Sequence, residues 1–250
     1  EFAGWLFKWA LGGTDTVTAN DPVTGSYKHT ILLQDAVNQL QAKTIVIDRK
    51  LAVSKYSGCK VDSLSLDCPA GDFVKGSIAI KAKDEATGVT AGLSALALKN
   101  YKLASATLTI GGTTFPAKSV KFNLKNNLQE APQNYTSGLY LPEPVHGQRD
   151  ISFEVETEYS ASVETLKSTY EITDTLVTSL VLTFQSASII TGSTPYKVTI
   201  TANNLAVDDI SDPVSSPGQY MMSNIKLSAC MIGSTEPLQA QIWDATSTAY

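Results

Sequence analysis

Acidic side chains offer the most obvious chemistry, because Glu154, Glu156 and Glu158 alternate along one predicted strand. Alternate side chains on a strand lie on one face, about 7 Å apart. That spacing is too wide for a tight metal-binding shell and does not suggest an acid–base pair. A solvated or channel-facing row of carboxylates is therefore the favoured interpretation.

The other reactive residues form no catalytic or metal-binding pattern. The aspartates at 208, 209 and 212 lack the spacing and terminal glutamate of a calcium loop, so 208–218 is predicted to be an ordinary loop. The two histidines are isolated: His29 is expected to make a hydrogen bond at a strand start, and His146 to lie in a loop. No nucleophile elbow, dinucleotide-binding glycine motif or phosphate-binding loop occurs in the sequence. We predict no enzymatic activity, no cofactor and no metal.

Charge and composition narrow the possible partners. The 250 residues carry 19 Lys and Arg against 24 Asp and Glu, so the formal net charge is −5 and no basic surface for gripping nucleic acid is expected. The acidity belongs to 105–250, where 14 acidic residues stand against 7 basic ones. No run approaches the roughly 18 apolar residues of a membrane span, and no membrane contact is predicted.

Period-two alternation predicts a mainly β protein. The clearest case is 56–84, where Leu64 and Leu66 alternate with polar residues, 69–72 supply a turn, and Ile78 and Ile80 continue the alternation. A closing hairpin is predicted at 225–242, with its turn at 233–237. Further strands are expected at 29–33, 44–48, 106–110, 120–124, 151–155, 180–184 and 196–200, short helices at 1–12 and 163–170, and a loop at 14–26.

The order helix, strand, strand, hairpin occurs twice, which indicates two copies of one module. Helix 1–12 matches 163–170, strand 29–33 matches 179–184, strand 44–48 matches 196–201, and the two hairpins match each other. We therefore predict a first domain at 1–102 and a second at 103–250, with a long loop at 126–148. The front of the second copy, 104–160, has no counterpart. Because residue 1 is Glu, we expect equivalent strands to precede it.

Four stretches resemble the tail tube proteins, or major tail proteins, of long-tailed DNA phages: GWLFKWALG at 4–12, YKHT at 27–30, YSGCKVDSLSL at 56–66 and SVKFNLKNNL at 119–128. The resemblance covers most of the chain and rests on moderately specific phrases in the right order. It implies tandem β-sandwich or split-barrel domains, each flanked by a short helix. It also implies a structural virion protein, made in the host cytoplasm, whose trimeric, pseudo-hexameric rings stack into a tube that passes viral double-stranded DNA. Tape measure, tail terminator and distal tail proteins would be partners.

In such a tube, the polar strand faces would line an aqueous bore. A bore that passes DNA should not hold phosphates tightly, so polar and acidic side chains suit it. The side chains predicted to face the bore are Ser63, Ser65, Lys75, Ser77, Asn123, Lys125, Glu154 and Glu156. The loop at 126–148 is the candidate for ring stacking, since long loops are often functional. Its predicted contacts are Asn134, Tyr135, Tyr140, Pro142 and Pro144.

Two other classes of protein stay open. A secreted or surface β-sandwich binding module, for example for carbohydrate, would need an exposed aromatic platform and an upstream signal peptide, and the sequence offers neither clearly. A secretion-system tube protein would share the tube fold, but the duplication speaks mildly against it. Helix 1–12 carries Phe2, Trp5, Leu6, Trp9 and Ala10 on one side, and this side is expected to dock on the sheet rather than on a membrane.

Overall fold

The computed structural model describes residues 2–21, 25–34, 40–88, 102–129, 144–145, 147–173, 175–212, 220–232 and 235–250. Strands dominate these residues, as predicted. The first half contains α1 (Phe2–Leu11), β1 (Gly12–Asp21), β2 (Ser26–Leu33), β3 (Lys43–Asp48), β4 (Val53–Pro69), β5 (Lys75–Lys81) and β6 (Asp84–Thr87). The second half contains β7 (Lys102–Ile110), β8 (Thr113–Phe115), β9 (Ala117–Lys125), β10 (Asp150–Glu158), α2 (Ala161–Leu166) with a π-helical continuation (Lys167–Glu171), β11 (Val177–Thr191), β12 (Thr194–Ser211), β13 (Met222–Ala229) and β14 (Leu238–Asp244).

The long strand β12 joins the two parts of the antiparallel sheet. Its first part, up to Leu205, pairs with β11, and 197–202 also pair with β14. Its last part, 205–211, pairs with β13. Asn204 lies between the stretch that pairs with β14 and the stretch that pairs with β13. Its φ is 54°, a left-handed conformation that Asn tolerates better than most residues. The strand therefore passes from one part of the sheet to the other, consistent with the predicted β-sandwich.

One hydrophobic core fills the space between the two parts of the sheet. Phe122 and Phe153 come from neighbouring strands, and their ring centroids lie 5.2 Å apart. Leu182 and Ile200 belong to the same cluster from the other part of the sheet. The predicted inward face of β4, β9 and β10 is buried as expected, while Ile78 on β5 is only half-buried.

The predicted hairpin at 56–84 is confirmed, because β4 and β5 pair from Lys60↔Lys81 to Asp67↔Lys75. The predicted closing hairpin is wrong. In β12, Leu205 pairs with β11 on one side and with β13 on the other. Strand β14 also pairs with β12 on the side away from β11. Consequently β13 and β14 follow one another along a single edge of β12, and 230–237 connect them. The alternation identified both strands, but alternation does not specify a partner.

Two predicted loops are partly strand. Residues 12–21 form β1, which pairs with β2. In this pair, Thr16 lies opposite Thr30 and Val17 lies opposite His29. The aspartates 208 and 209 belong to β12, where a bulge sits between Val207 and Asp209. An antiparallel strand pair follows each helix: β1 and β2 follow α1, and β11 and β12 follow α2. In a repeat of this kind β1 would correspond to β11 and β2 to β12, whereas the sequence-based matching aligns 29–33, in β2, with 179–184, in β11.

The division at 102/103 stays a prediction. Hydrogen-bonded pairs cross it, since β2 pairs with β14 and β4 pairs with β9. Leu11 and Ile31 share the core cluster with Leu182 and Ile242. If two modules are present, they share strands and a core.

The buried side of α1 differs from the prediction. Ala10 is buried as expected, but the other buried residues are Gly4, Phe7 and Leu11, while Phe2 and Trp5 are about half exposed. Nearly every residue of this helix is apolar, so its sequence shows two neighbouring apolar stripes, and Lys8 is its one strongly polar residue. Gly4 allows the close approach of the Tyr250 ring, because a Cβ there would lie 1.9 Å from it.

Candidate channel-lining face

The strands β5, β4, β9, β10, β13 and the end of β12 lie side by side and share one polar face. Strand alternation creates this face: each residue between two buried apolar residues must point the other way. On β9, for example, Lys121 and Asn123 flank the buried Phe122. We call this surface the polar face.

A row of alternating charges crosses the polar face. Directly paired residues run from one strand to the next through all six strands. Lys121 and Lys226 each have a carboxylate on either side along the row, and Lys75, at its end, has one neighbouring carboxylate. The row reads Lys75, Asp67, Lys121, Glu154, Lys226, Asp209. Directly opposite residues of unlike charge stabilise an antiparallel pair.

A second row, formed by the next residues on the same face of each strand, carries no charge. It reads Ser77, Ser65, Asn123, Ser152, Ser228, Ala206, again through directly paired residues. Beside it, Ser63 pairs with Lys125, which in turn pairs with Asp150. The polar face thus presents a charged level and an uncharged level at right angles to its strands.

Ion pairs already form within the polar face. Lys121 Nζ lies 4.0 Å from Glu154 Oε2, and Lys226 Nζ lies 3.8 Å from Asp209 Oδ2. Lys118 Nζ donates to Glu156 Oε1 at 2.8 Å. This hydrogen bond is the main reason that the pKa of Glu156 lies below its ordinary value. Glu154, Glu156 and Asp209 are therefore paired with lysines rather than gathered around a site for an acid, a base or a metal.

The residues that the structure describes contain no group of three or more His, Cys, Asp or Glu arranged to hold a metal ion. None of their helices is long and apolar enough to cross a membrane. The model of the phage tail tube protein family matches residues 1–229, which is most of the chain. The chain belongs to the phage tail tube protein family.

Membership identifies the tail tube protein as a structural component of the phage virion, which favours the tube over the secreted binding module. No curated protein matches this sequence. Among solved structures, Hcp1 from Salmonella typhimurium is similar to it, with 16% sequence identity and a TM-score of 0.33. The match covers 49% of the tail tube protein and 79% of Hcp1. We draw no functional argument from a likeness at this level.

The structure brings all eight residues that were predicted to face the bore together on the polar face of the tail tube protein. The exposed ones are Lys75, Ser77, Lys125 and Glu154, and the half-buried ones are Ser63, Ser65, Asn123 and Glu156. That this face lines a bore stays a prediction. Sequence reasoning missed Asp67, Lys121, Ser152, Lys226 and Ser228, although the same alternation marks them.

Most of the predicted stacking loop lies outside the described residues, including Asn134, Tyr135, Tyr140 and Pro142. His146 also lies outside them. Pro144 is buried, and its carbonyl oxygen accepts a hydrogen bond from Lys60 Nζ at 2.9 Å. At the other end of this loop, the Leu128 carbonyl accepts from Lys81 Nζ at 2.7 Å. Both described ends are therefore tied to the β4–β5 hairpin.

A buried histidine forms a second polar cluster, away from the polar face. His29 on β2 is fully buried, with Nδ1 3.1 Å from Asp15 Oδ2 and Nε2 2.8 Å from the Thr246 carbonyl oxygen. Nε2 also lies 3.4 Å from Asp244 Oδ1. Because both ring nitrogens face acceptors only, the doubly protonated imidazolium satisfies the cluster best.

The pKa of His29 reflects this cluster. Burial alone would lower it, but the hydrogen bonds to Asp244, Asp15 and Thr246 outweigh burial and raise the pKa to about 9. The Tyr250 ring lies over the imidazole, 4.5 Å between centroids, and the Tyr250 hydroxyl donates to Asp244. The cluster therefore fastens the C-terminal residues to β1 and β2. The sequence shows His29 only as an isolated residue.

Proposed function

We propose that this tail tube protein assembles into stacked rings and that the polar face lines the bore through which viral double-stranded DNA passes. The alternating row from Lys75 to Asp209 carries the proposal. Each of its three lysines stands beside at least one carboxylate in the row. Lysines that are neutralised in this way have less positive charge to offer a phosphate backbone.

Ring formation requires a way to close the sheet, and the free edges of β5 and β1 could serve it. Among the described strands, β5 pairs only with β4 and β1 only with β2, while the shorter strands β3, β6 and β8 also have a single partner each. Such edges carry unpaired N–H and C=O groups, which native proteins cover or pair. Edge pairing between different edges of neighbouring subunits is a head-to-tail contact, and a head-to-tail contact that closes makes a ring.

The finer features of this proposal follow the resemblance to the family. With tandem domains, three chains would form a ring of pseudo-sixfold symmetry. The tape measure, tail terminator and distal tail proteins would be further partners, and assembly would begin in the host cytoplasm. The loop at 126–148 stays the predicted stacking contact. We also propose that the chain is not an enzyme, since its most suggestive carboxylates, Glu154 and Glu156, pair with lysines.

Electron microscopy of the purified protein tests assembly directly. We expect stacked rings with a central opening wide enough for duplex DNA. A protein that stays monomeric at high protein concentration and physiological ionic strength would contradict the proposal.

Thiol labelling tests the orientation of the polar face. Ser77→Cys on the polar face and Ser168→Cys on the helical segment both place a thiol at an exposed position, in a Cys230→Ser background. A bulky polyethylene glycol maleimide should label both variants when they are unassembled. In tubes it should label only the Ser168→Cys variant, while a small maleimide still reaches both. Full labelling of the Ser77→Cys variant by the bulky reagent in tubes would place the polar face outside.

A further inference from the structure

A small three-stranded sheet extends from the main sheet, and we call it the arm. It consists of β3, residues 53–58 at the start of β4, and β6, with β4 in the middle. The pairing of β4 with β9 ends at Ser63↔Lys125, so the arm reaches beyond the main sheet. Its stretch of β4 spans about 20 Å at about 3.3 Å per residue.

The base of the arm is firmly held. Gly58 takes a left-handed φ of 65°, and a Cβ there would lie 2.7 Å from the Lys83 side chain, so the strand changes direction at a position suited to glycine. Directly after it, Cys59 and Lys60 are buried. The tip is also ordered, because Arg49 donates to the Tyr56 hydroxyl, which donates to Glu85. The arm is therefore a shaped projection of the subunit.

The outer part of the arm presents apolar and basic side chains to solvent. Leu51 at its tip is 100% exposed and Ile47 is 41% exposed, and all four residues of β6 are exposed. A sheet of three strands needs a packed hydrophobic face for stability of its own. Lys50 is exposed next to Leu51 in the chain, and Lys55 is exposed further along β4, while the Asp48 carboxylate accepts a hydrogen bond from the Lys50 backbone N–H at 2.7 Å. The exposed acidic residues of β6, Asp84 and Glu85, lie opposite Ser57 and Tyr56, nearer the base of the arm than its tip.

The end of the main sheet that lies furthest from the arm has the complementary character, and we call it the turn end. There β10 and β13 finish side by side, with the Tyr159 N–H bonded to the Met221 carbonyl oxygen at 2.9 Å. Tyr159 and Met221 are each 39% exposed. Glu158 and Glu164 are exposed next to them. An apolar pair with acidic neighbours matches an apolar tip with basic neighbours.

We infer that the arm of one subunit docks on the turn end of a subunit in the next ring, with Leu51 against Tyr159 and Met221. The inference rests on the proposed function: edge pairing around a ring makes the strands run along the tube, tilted to its axis, so that strand ends face the adjacent rings. A contact between two different surfaces that does not close on itself propagates as a filament. Lys50 or Lys55 would then face Glu158 of the next subunit.

Two substitutions test the apolar part of this contact. Leu51→Asp should leave the circular dichroism and thermal melting of the unassembled subunit unchanged and reduce the fraction of protein that sediments as tubes about tenfold. Ile189→Asp is the control, because Ile189 is also an exposed apolar residue, on β11 and outside the arm. It should assemble like the wild type. Equal tube yields for wild type and Leu51→Asp would overturn the inference.

A charge exchange identifies the partner surface. Lys50→Glu should shorten the tubes at low salt, and adding Glu158→Lys to the same chain should restore their length, since every subunit carries both surfaces. These side chains are exposed, so the variants keep the fold. Failure of Glu158→Lys to restore length would exclude the turn end as the partner. Absence of tubes from the wild type would instead refute the proposed function itself.

Discussion

The buried His29 predicts a dependence of stability on alkaline pH that an ordinary histidine would not produce. Its pKa is about 9 in the folded protein and 6.5 in the absence of structure. Each pKa unit corresponds to about 1.36 kcal/mol, so protonated His29 stabilises the fold by about 3 kcal/mol. For a chain of this size, that corresponds to roughly 6–12 °C in melting temperature.

The sign follows from which state binds the proton more tightly. Because the folded state has the higher pKa, the contribution is fully present below about pH 6.5 and is lost as the pH rises through about 9. Asp244 acts in the opposite range. Burial alone would raise its pKa, but hydrogen bonds to His29 and Thr246 lower it below 3.8, so its contribution is lost only in strong acid.

Urea unfolding of the unassembled subunit at pH 6.5 and at pH 10 measures this contribution. Other groups also titrate in that range, so the decisive quantity is the difference between the wild type and His29→Gln at each pH. We expect this difference to shrink by about 3 kcal/mol at pH 10. The sequence contains two histidines, so a His146→Gln variant leaves one imidazole signal for titration by NMR. A midpoint near 6.5 in that variant would refute the reasoning.

Three further variants probe the core, the β1–β2 pair and the polar face. Phe122→Ala removes a fully buried ring and should lower the free energy of unfolding by about 3–5 kcal/mol in urea titrations, with an unchanged value contradicting the packing described. Gly13→Ala places a Cβ 2.2 Å from the Leu32 carbonyl oxygen, so the β1–β2 pair must shift and the melting temperature should fall. Asp67→Lys combined with Glu154→Lys turns the charged row cationic, so tubes of this variant should retain duplex DNA at low salt and release it at high salt, unlike the wild type. Equal retention by both would count against a neutralised bore.

Local alternation predicted the strands with one buried face and one polar face. Residues such as Leu64, Phe122 and Phe153 alternate with Ser and charged residues, and the structure buries all three. The same reasoning failed for β1, where Thr14, Thr16 and Thr18 alternate with Asp15, Val17 and Ala19, a set too mixed to mark a buried face. It also failed for the exposed side of α1, because that helix has almost no polar residues.

Long-range partners were beyond reach of the sequence. His29 binds Thr246, which is 217 residues away, and nothing local marks that pairing. The charged row needs the register of five strand pairs, and the sequence placed only the β4–β5 pair correctly in advance. Strand partners depend on which apolar faces pack together, a property of the assembled core rather than of any segment.

The charged row meets two physical demands with one arrangement. A wide, solvent-facing sheet is destabilised by like charges directly opposite each other, and alternation replaces each such pair with an attractive one. The individual ion pairs are exposed, so each is worth little for stability. Their combined effect is on the field, because alternating charges at strand spacing cancel within a few ångströms. A phosphate backbone moving past such a face therefore meets neither a strong attraction that would stall it nor a strong repulsion that would exclude it. The uncharged row of Ser and Asn beside it adds hydrogen-bonding groups that exchange readily with water. The pattern that avoids like-charge repulsion on this exposed sheet is thus also the pattern expected of the passive conduit that we propose.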